Sequence, residues 1–317
     1  MYEIVRYSGE QAEAWNAFVA RSVNGTFLFD RRYMDYHSDR FVDASLMIYQ
    51  KGHLRALLPA NIVGTTLYSH QGLTYGGLLT TSDSTTSAIC SMMVELNHHL
   101  RANGIQHVVY KSIPWIYHRY PCEEALYALH NVCGASITVR HISSTIDLSL
   151  RPRLSESRRS GIRKAIAAGL SVEEAGVESL STFWPILSTN LLLKYGAHPV
   201  HTQEEMALLM QRFPQSIRLF IVYGGQEALG GTVVYHTDRV VHTQYISASV
   251  AGKQSGALDL LFDHLLRQDW GPSRYFDFGK SSDGDGHDLN ASLIFQKEGF
   301  GGRGICYDWY EWDTYKE

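Results

Sequence analysis

Residues 274–312 read RYFDFGKSSDGDGHDLNASLIFQKEGFGGRGICYDWYEW, and the fold follows from how this stretch is punctuated. Tyr275-Phe276-Asp277-Phe278 alternates as a strand and stops at Gly279. A loop of Ser, Asp and Gly follows, then a helical run over 289–298. Gly299-Phe300-Gly301 breaks that helix, and 303–312 alternates again as a final strand. A strand ending in a Gly/Ser/Asp loop that feeds a helix is where mixed α/β proteins place ligands.

Working outward, the spacing predicts a helix over 256–270, a strand over 240–247, and a hairpin of 217–223 with 226–236 across Gly224-Gly225. The same order, hairpin, strand, helix, strand, occurs over 45–110. There, Ser84 to Asn103 puts Ile89, Met92, Met93, Leu96 and Leu100 on one helical face, with Gly104 as its stop. Both copies run into a Lys-Ser pair, Lys111-Ser112 and Lys280-Ser281. The repeat is too long for a solenoid and indicates two copies of a domain. Elsewhere, a strand is expected at 2–7, helices at 10–21, 31–37 and 122–132, and two strands within 135–150. Thr202 and Glu205 form a capping box that opens another helix. Between the copies lies a basic stretch, with Arg151, Arg153, Arg158, Arg159, Arg163 and Lys164 against a single acid, Glu156. The organisation expected is a first domain at 1–150, a basic connecting helix at 151–170 and a second domain at 171–317.

With 317 residues the chain is long enough for about two domains. A net charge of −4 gives no reason to expect DNA or an anionic partner for the chain as a whole. The four cysteines have no CxxC spacing, so neither a zinc site nor a disulfide framework is indicated. No apolar run approaches the roughly 18 residues needed to span a bilayer. The start lacks the basic and apolar regions of a signal peptide. These features lead to the expectation of a cytoplasmic protein without membrane insertion.

Several motifs fail on their spacing. Gly279-Lys280-Ser281 imitates the end of a P-loop, but its first glycine position holds Arg274. Asp283, Asp285 and Asp288 resemble a calcium loop, but Asp288 and Ile294 stand where Gly and Glu belong. There is no HExxH, GxSxG or strand-to-helix GxGxxG, and no metal is expected.

The element order resembles the GNAT N-acyltransferase superfamily. Phe295-Gln-Lys-Glu-Gly-Phe300 looks like the Tyr-x-x-x-Gly-Phe end of its last helix. Two such domains, the basic run Arg158-Arg-Ser-Gly-Ile-Arg-Lys164, Tyr75-Gly-Gly77 and Tyr275-Phe-Asp-Phe-Gly279 are similar to the tandem-domain Fem/peptidyltransferase-like branch. The resemblance implies an α+β (mixed α/β) fold of two tandem GNAT-like domains, each a mixed, mostly antiparallel sheet flanked by helices. It also implies acyl transfer to an amine from acyl-CoA, such as acetyl-CoA. The alternatives are an aminoacyl-tRNA donor acting on a peptidoglycan precursor, and a non-catalytic binding protein.

In such folds two parallel strands splay to hold the donor arm, here 240–247 and 274–278, with Gln244 and Ile246 on the groove. The pyrophosphate would meet Gly252, Lys253, Gln254, Ser255, Gly256 and Ala257 at a helix start. This segment departs from the superfamily's usual Gln/Arg-x-x-Gly-x-Gly/Ala pattern. Gly279, Ser281 and Asn290 would add contacts, although an N-cap is the favoured role of Asn290. A general base is sought in Asp277 or His242. Phe295 stands where the family places a proton-donating tyrosine, which leaves Tyr307, Tyr245 or water to protonate a leaving thiolate. Lys194, His198 and His201 would rim a small-molecule or peptidoglycan-precursor acceptor. Arg159 and Arg163 would meet phosphates of a nucleotide-linked acceptor or of tRNA.

Overall fold

The computed structural model describes residues 1–150 and 153–315, so Arg151 of the basic stretch lies outside the described residues. The chain divides into two compact units. The first comprises Met1–Ile142, Ser282–Asp288 and Cys306–Glu317, and the second Ser143–Ser281 and Leu289–Ile305.

In the first unit, strand Glu3–Arg6 pairs with Leu46–Gln50, which forms a hairpin with His53–Leu58. A separate set of strands runs in the order Val42–Asp43, Asn61–Val63, Thr66–Tyr68 and His107–Lys111. Thr66–Tyr68 and His107–Lys111 are parallel, and helix Thr86–Ala102 connects them. Thr85 caps that helix by accepting from the Ala88 amide, and its apolar face (Ile89, Met92, Met93, Leu96, Leu100) is buried in the core. Residues 309–313 of strand Arg303–Asp313 complete the set antiparallel to His107–Lys111.

The second unit repeats the parallel pair joined by a helix, with its hairpin in the same row of strands. Leu170–Ala175, Ile217–Gly224, Glu227–His236 and Val240–Ala248 are successive antiparallel neighbours. Tyr275–Lys280 then lies parallel to Val240–Ala248, and helix Ala257–Arg267 connects them with Leu261, Phe262 and Leu265 buried. Residues 143–147 of strand Ser136–Asp147 close the row antiparallel to Tyr275–Lys280. The fold is therefore α+β: each unit has a mixed, mostly antiparallel set of strands flanked by helices, and the first unit has a separate three-stranded antiparallel sheet as well.

Three details differ from the sequence expectation. The two strands sought in 135–150 are one, Ser136–Asp147. Its polar residues obscure the alternation because Ser143 and Thr145 are buried on a distant carboxylate. The helix expected over 256–270 is divided from a shorter one, Val250–Ser255, by Gly256 at φ +82°. The basic helix is Glu156–Ala167; it lies within the second unit and packs on Ala257–Arg267. A Cβ on Gly161 would sit among the atoms of Asp259, and one on Gly256 only 2.5 Å from the Gly161 carbonyl oxygen.

Candidate active site

The parallel pairing of Val240–Ala248 with Tyr275–Lys280 covers three rungs, Val240 with Tyr275, Val241 with Phe276 and His242 with Asp277. Beyond the third rung the strands part. Two irregularities accompany the parting. Gln244 is a bulge, since Val233 faces Tyr245 and Val234 faces Thr243. The other side of Tyr275–Lys280 shifts register between Asp277 and Lys280, with Gly279 at φ +76°. Bulges bend and twist a strand, so both act to turn the chain away from its neighbour at this level.

At the last paired rung, the fully buried Asp277 accepts hydrogen bonds from Ser143 Oγ, from Thr145 Oγ1 at 2.8 Å, and from His242 Nδ1 at 2.8 Å. An ionised carboxylate only accepts, so this network assigns the proton of the imidazole to Nδ1 and leaves a lone pair on Nε2. Among the described residues no group bonds Nε2, and it is not a closed-off atom: about a tenth of the side chain, 11%, is exposed. A Cβ on Gly279 would lie 3.3 Å from His242 Cε1, so glycine here keeps the ring edge uncrowded. Asp277 and His242, two separate candidates in the sequence, thus form one buried dyad opening at the splay.

Below the dyad lies a group that the sequence analysis missed. Lys297, on helix Ala291–Gly299, is buried and donates to the carbonyls of Gly279 at 2.7 Å and Lys280 at 2.8 Å and to Ser281 Oγ at 2.8 Å. All three ammonium hydrogens are used to hold the turn that follows Asp277. Burial pulls its pKa down to about 8, with the charge of Asp277 acting in the opposite direction. Burial likewise lowers Lys280 to about 8. The available signal was a lysine inside the Phe295–Phe300 run, on a helix otherwise easily read as amphipathic.

Other candidates are occupied differently. Tyr245 contacts His201 Nδ1 through its hydroxyl at 2.6 Å and accepts from the His201 amide, and burial pushes its pKa up to about 12. Tyr307 belongs to the first unit, where its hydroxyl meets that of Tyr117 at 3.2 Å. Phe295 is 67% exposed. In the proposed phosphate segment, Ser249 Oγ already accepts from the Gly252 amide, and Gly252 is packed so that a Cβ would strike the Leu229 carbonyl. Gly256 ends that helix and Ala257 is buried in the core, while Ser255 Oγ donates back to the Ala251 carbonyl. Lys253 Nζ rests on Asn190 Oδ1 at 2.7 Å, and Asn190 Nδ2 in turn bonds Ser247 Oγ and the Ala248 carbonyl. Gln254 is exposed, and Gln244 and Ile246 are half-buried on the splayed strand. Asn290 caps helix Ala291–Gly299 by accepting from the Leu293 amide. Lys194 and His198 are exposed, whereas His201 is buried. Arg159 and Arg163 are exposed and share Glu156, while Arg158 pairs with Asp259 at 2.6 Å and lies over the Phe300 ring.

Residues 156–287 match the family model of the acetyltransferase (GNAT) domain. That match covers 132 of the 317 residues. The matched segment contains His242 and Asp277 and ends before helix Ala291–Gly299, so Lys297 lies outside it. No curated protein sequence matches the chain. Among solved structures, the fold of the whole chain is similar to that of FemX, with a TM-score of 0.68, 11% identity, and 98% of this chain and 97% of that one covered. It is also similar to the C-terminal domain of a putative lysylphosphatidylglycerol synthetase from Agrobacterium fabrum (TM-score 0.61, 12% identity, 95% and 91% covered). A tandem GNAT protein from the clavulanic acid biosynthesis pathway matches over 100% of both chains, with a TM-score of 0.55 and 12% identity. The fold of the chain is thus one that solved structures share.

Among the described residues, no group of three or more His, Cys, Asp or Glu is arranged to hold a metal, and no helix is long and apolar enough to cross a membrane.

Proposed function

We propose that the chain is an acyltransferase whose second unit moves an acyl group from a thioester of the acyl-CoA type to an amine. The observation that carries this reading is the His242–Asp277 dyad at the rung where the two parallel strands part. Transfer needs an amine that loses a proton as it attacks, and Nε2 of His242 is the accessible lone pair. As the C–N bond forms, the amine proton passes to Nε2, and Asp277 stabilises the imidazolium through Nδ1–H. As the C–S bond breaks, the same imidazolium returns that proton to the sulfur. This route does not require Tyr245, Tyr307 or Phe295. Backbone groups of 243–247 on the edge that no longer pairs with Tyr275–Lys280 would hold the donor arm, and the Lys297 clamp would fix the turn carrying Gly279. The acceptor would be a small amine or the amine of a peptidoglycan precursor, entering past Lys194 and His198.

A second reading keeps the dyad and replaces the thioester with the ester of aminoacyl-tRNA. It is favoured by helix Ala291–Gly299 carrying the exposed Phe295 and no tyrosine, and by the exposed Arg159 and Arg163. The test is a pair of assays on the same preparation: thiol release from acetyl-CoA and longer acyl-CoAs with an amine library, and deacylation of aminoacyl-tRNA. Thiol release that depends on His242 supports the first reading, and turnover of tRNA alone supports the second. No turnover of either with folded protein would remove both in favour of a binding role.

A further inference from the structure

We infer that Ser143 and Thr145 are positioning residues: their hydroxyls keep Asp277 ionised and aimed, and so decide which nitrogen of His242 is left to take a proton. The inference rests on the acyl-transfer reading of the dyad and adds to it a layer on which the dyad depends.

Asp277 is fully buried, and burial away from water disfavours the charged form of a carboxylate. A carboxyl group beside an imidazole in that setting gains by holding the proton itself. Nδ1 would then accept, and the ring proton would sit on Nε2, the nitrogen facing away from the carboxylate. Hydrogen bonds donated to the ionised form oppose this. The donors are divided between the two oxygens: Ser143 Oγ and Thr145 Oγ1 both donate to Oδ1, and His242 Nδ1 donates to Oδ2. With Oδ1 held by two hydroxyls, the plane of the carboxylate and the direction of Oδ2 are fixed. The Lys297 ammonium lies within electrostatic reach of Asp277, but its hydrogens are on Gly279, Lys280 and Ser281. It contributes charge rather than a bond to the carboxylate.

Strand geometry explains why two hydroxyls reach one oxygen. Thr145 is the Cα partner of Asp277, and Ser143, two residues away, points to the same face. Ser144, between them, points to the other face. Its Oγ is buried with no hydrogen-bond partner among the described residues, and its Cβ lies 3.0 Å from where a Cβ on Gly302 would be. Ser143 and Thr145 both lie outside the matched segment 156–287. The rung carrying the dyad is therefore completed by a strand that the matched domain does not supply.

The experiment reads the tautomer of His242 by long-range proton–nitrogen correlation NMR of protein carrying isotope-labelled histidine, near neutral pH. The signal is assigned by its loss in H242Q. The wild type is expected to carry the proton on Nδ1, and S143A/T145V to carry it on Nε2 in a large share of molecules. T145V keeps the shape of the side chain without the hydroxyl and should shift in part. T145S keeps the hydroxyl and should retain the wild-type tautomer, as should S144A. In an acyl-transfer assay S143A/T145V should lower kcat at least about tenfold with donor KM within about twofold, and S144A should leave both within about twofold. Circular dichroism accompanies each variant. An unchanged tautomer in folded S143A/T145V overturns the inference, as does a wild type with the proton on Nε2 or an S144A that behaves as the double variant. If the double variant does not fold, T145V and T145S decide: equal tautomers in the two overturn the inference. The tautomer is read without turnover. A shifted tautomer in a chain that turns over no donor thus supports the positioning role while removing the acyl-transfer reading.

Discussion

His242 and Asp277 are Cα partners on the last rung joining two parallel strands, and their side chains meet at 2.8 Å just before those strands part. Backbone pairing positions the two side chains, while the parting gives solvent access to the nitrogen facing away from the carboxylate. Replacing Asp277 with Asn retains the shape but lets the imidazole carry its proton on the wrong nitrogen. D277N is expected to lower kcat by about 10²–10⁴-fold with little change in donor KM. Steady-state kinetics beside a thermal melt is the check. A folded D277N with wild-type kcat would remove the dyad from the mechanism.

Lys297 provides a pH signature. Its three hydrogen bonds require the ammonium, and burial sets its pKa at about 8. Activity should therefore decline as the pH rises past about 8, when one donor is lost and the turn at Gly279 loosens. Lys280 has a similarly lowered pKa, so the variant K280M is needed to assign the limb. K280M should keep the alkaline decline. K297R, whose guanidinium stays charged, should shift it upward by a unit or more in whatever activity remains. A decline that disappears in K280M and persists in K297R would reverse the assignment.

The first unit should lose stability in acid. Burial lowers His37 to about 4, His70 to about 3 and His118 to about 4, so all three are neutral in the fold at ordinary pH. Unfolded, each titrates near 6.5 and binds a proton more readily than when folded. Their contribution to stability is complete above about pH 6.5 and is lost as the pH falls from there toward 4. Hydrogen exchange at pH 7 and at pH 5 should show protection falling around His37, His70 and His118. Uniform protection at both values would contradict this.

Much of the fold was legible because it is local. The face of Thr86–Ala102, the capping box at Thr202 and Glu205, and the hairpin across Gly224-Gly225 each depend on residues a few positions apart. The repeat was legible as well, since each unit has two parallel strands joined by a helix. The donors to Asp277 were not legible. Ser143 and Thr145 sit in a segment that reads as the end of the first copy, and no periodicity links a serine to a carboxylate so far along the chain. Lys297 was missed for a related reason: its partners are backbone carbonyls, which leave no trace in composition. Gly252 and Gly256 were read as phosphate contacts because glycines at a helix start suit anions. The fold also requires both for close packing on Leu229 and Gly161.

That packing makes Gly256 a test of its own. It has φ +82°, and a Cβ there would lie 2.5 Å from the Gly161 carbonyl oxygen. G256A combines left-handed strain with a backbone clash and should cost about 2–4 kcal/mol of stability. The measurement is denaturant unfolding monitored by tryptophan fluorescence. A variant with unchanged midpoint but weakened donor binding would mean that this glycine serves the ligand rather than the fold.

Phe295 allows the proton return to be examined directly. The resemblance in sequence leads to the expectation that Phe295 stands in place of a proton-donating tyrosine, and its side chain is 67% exposed on helix Ala291–Gly299. If the imidazolium of His242 returns the proton to sulfur, a hydroxyl added at this exposed position has no step to improve. F295Y should therefore leave kcat for an acyl-CoA donor within about twofold, since general acid catalysis by a correctly placed tyrosine would contribute about 10²-fold or more. The pH profile separates the cases further. A tyrosine acting as acid would add an alkaline limb near its own pKa, whereas a bystander leaves the profile as in the wild type. A rate gain of tenfold or more in F295Y would show that the leaving group lies within reach of helix Ala291–Gly299, and that His242 does not complete the proton transfer alone.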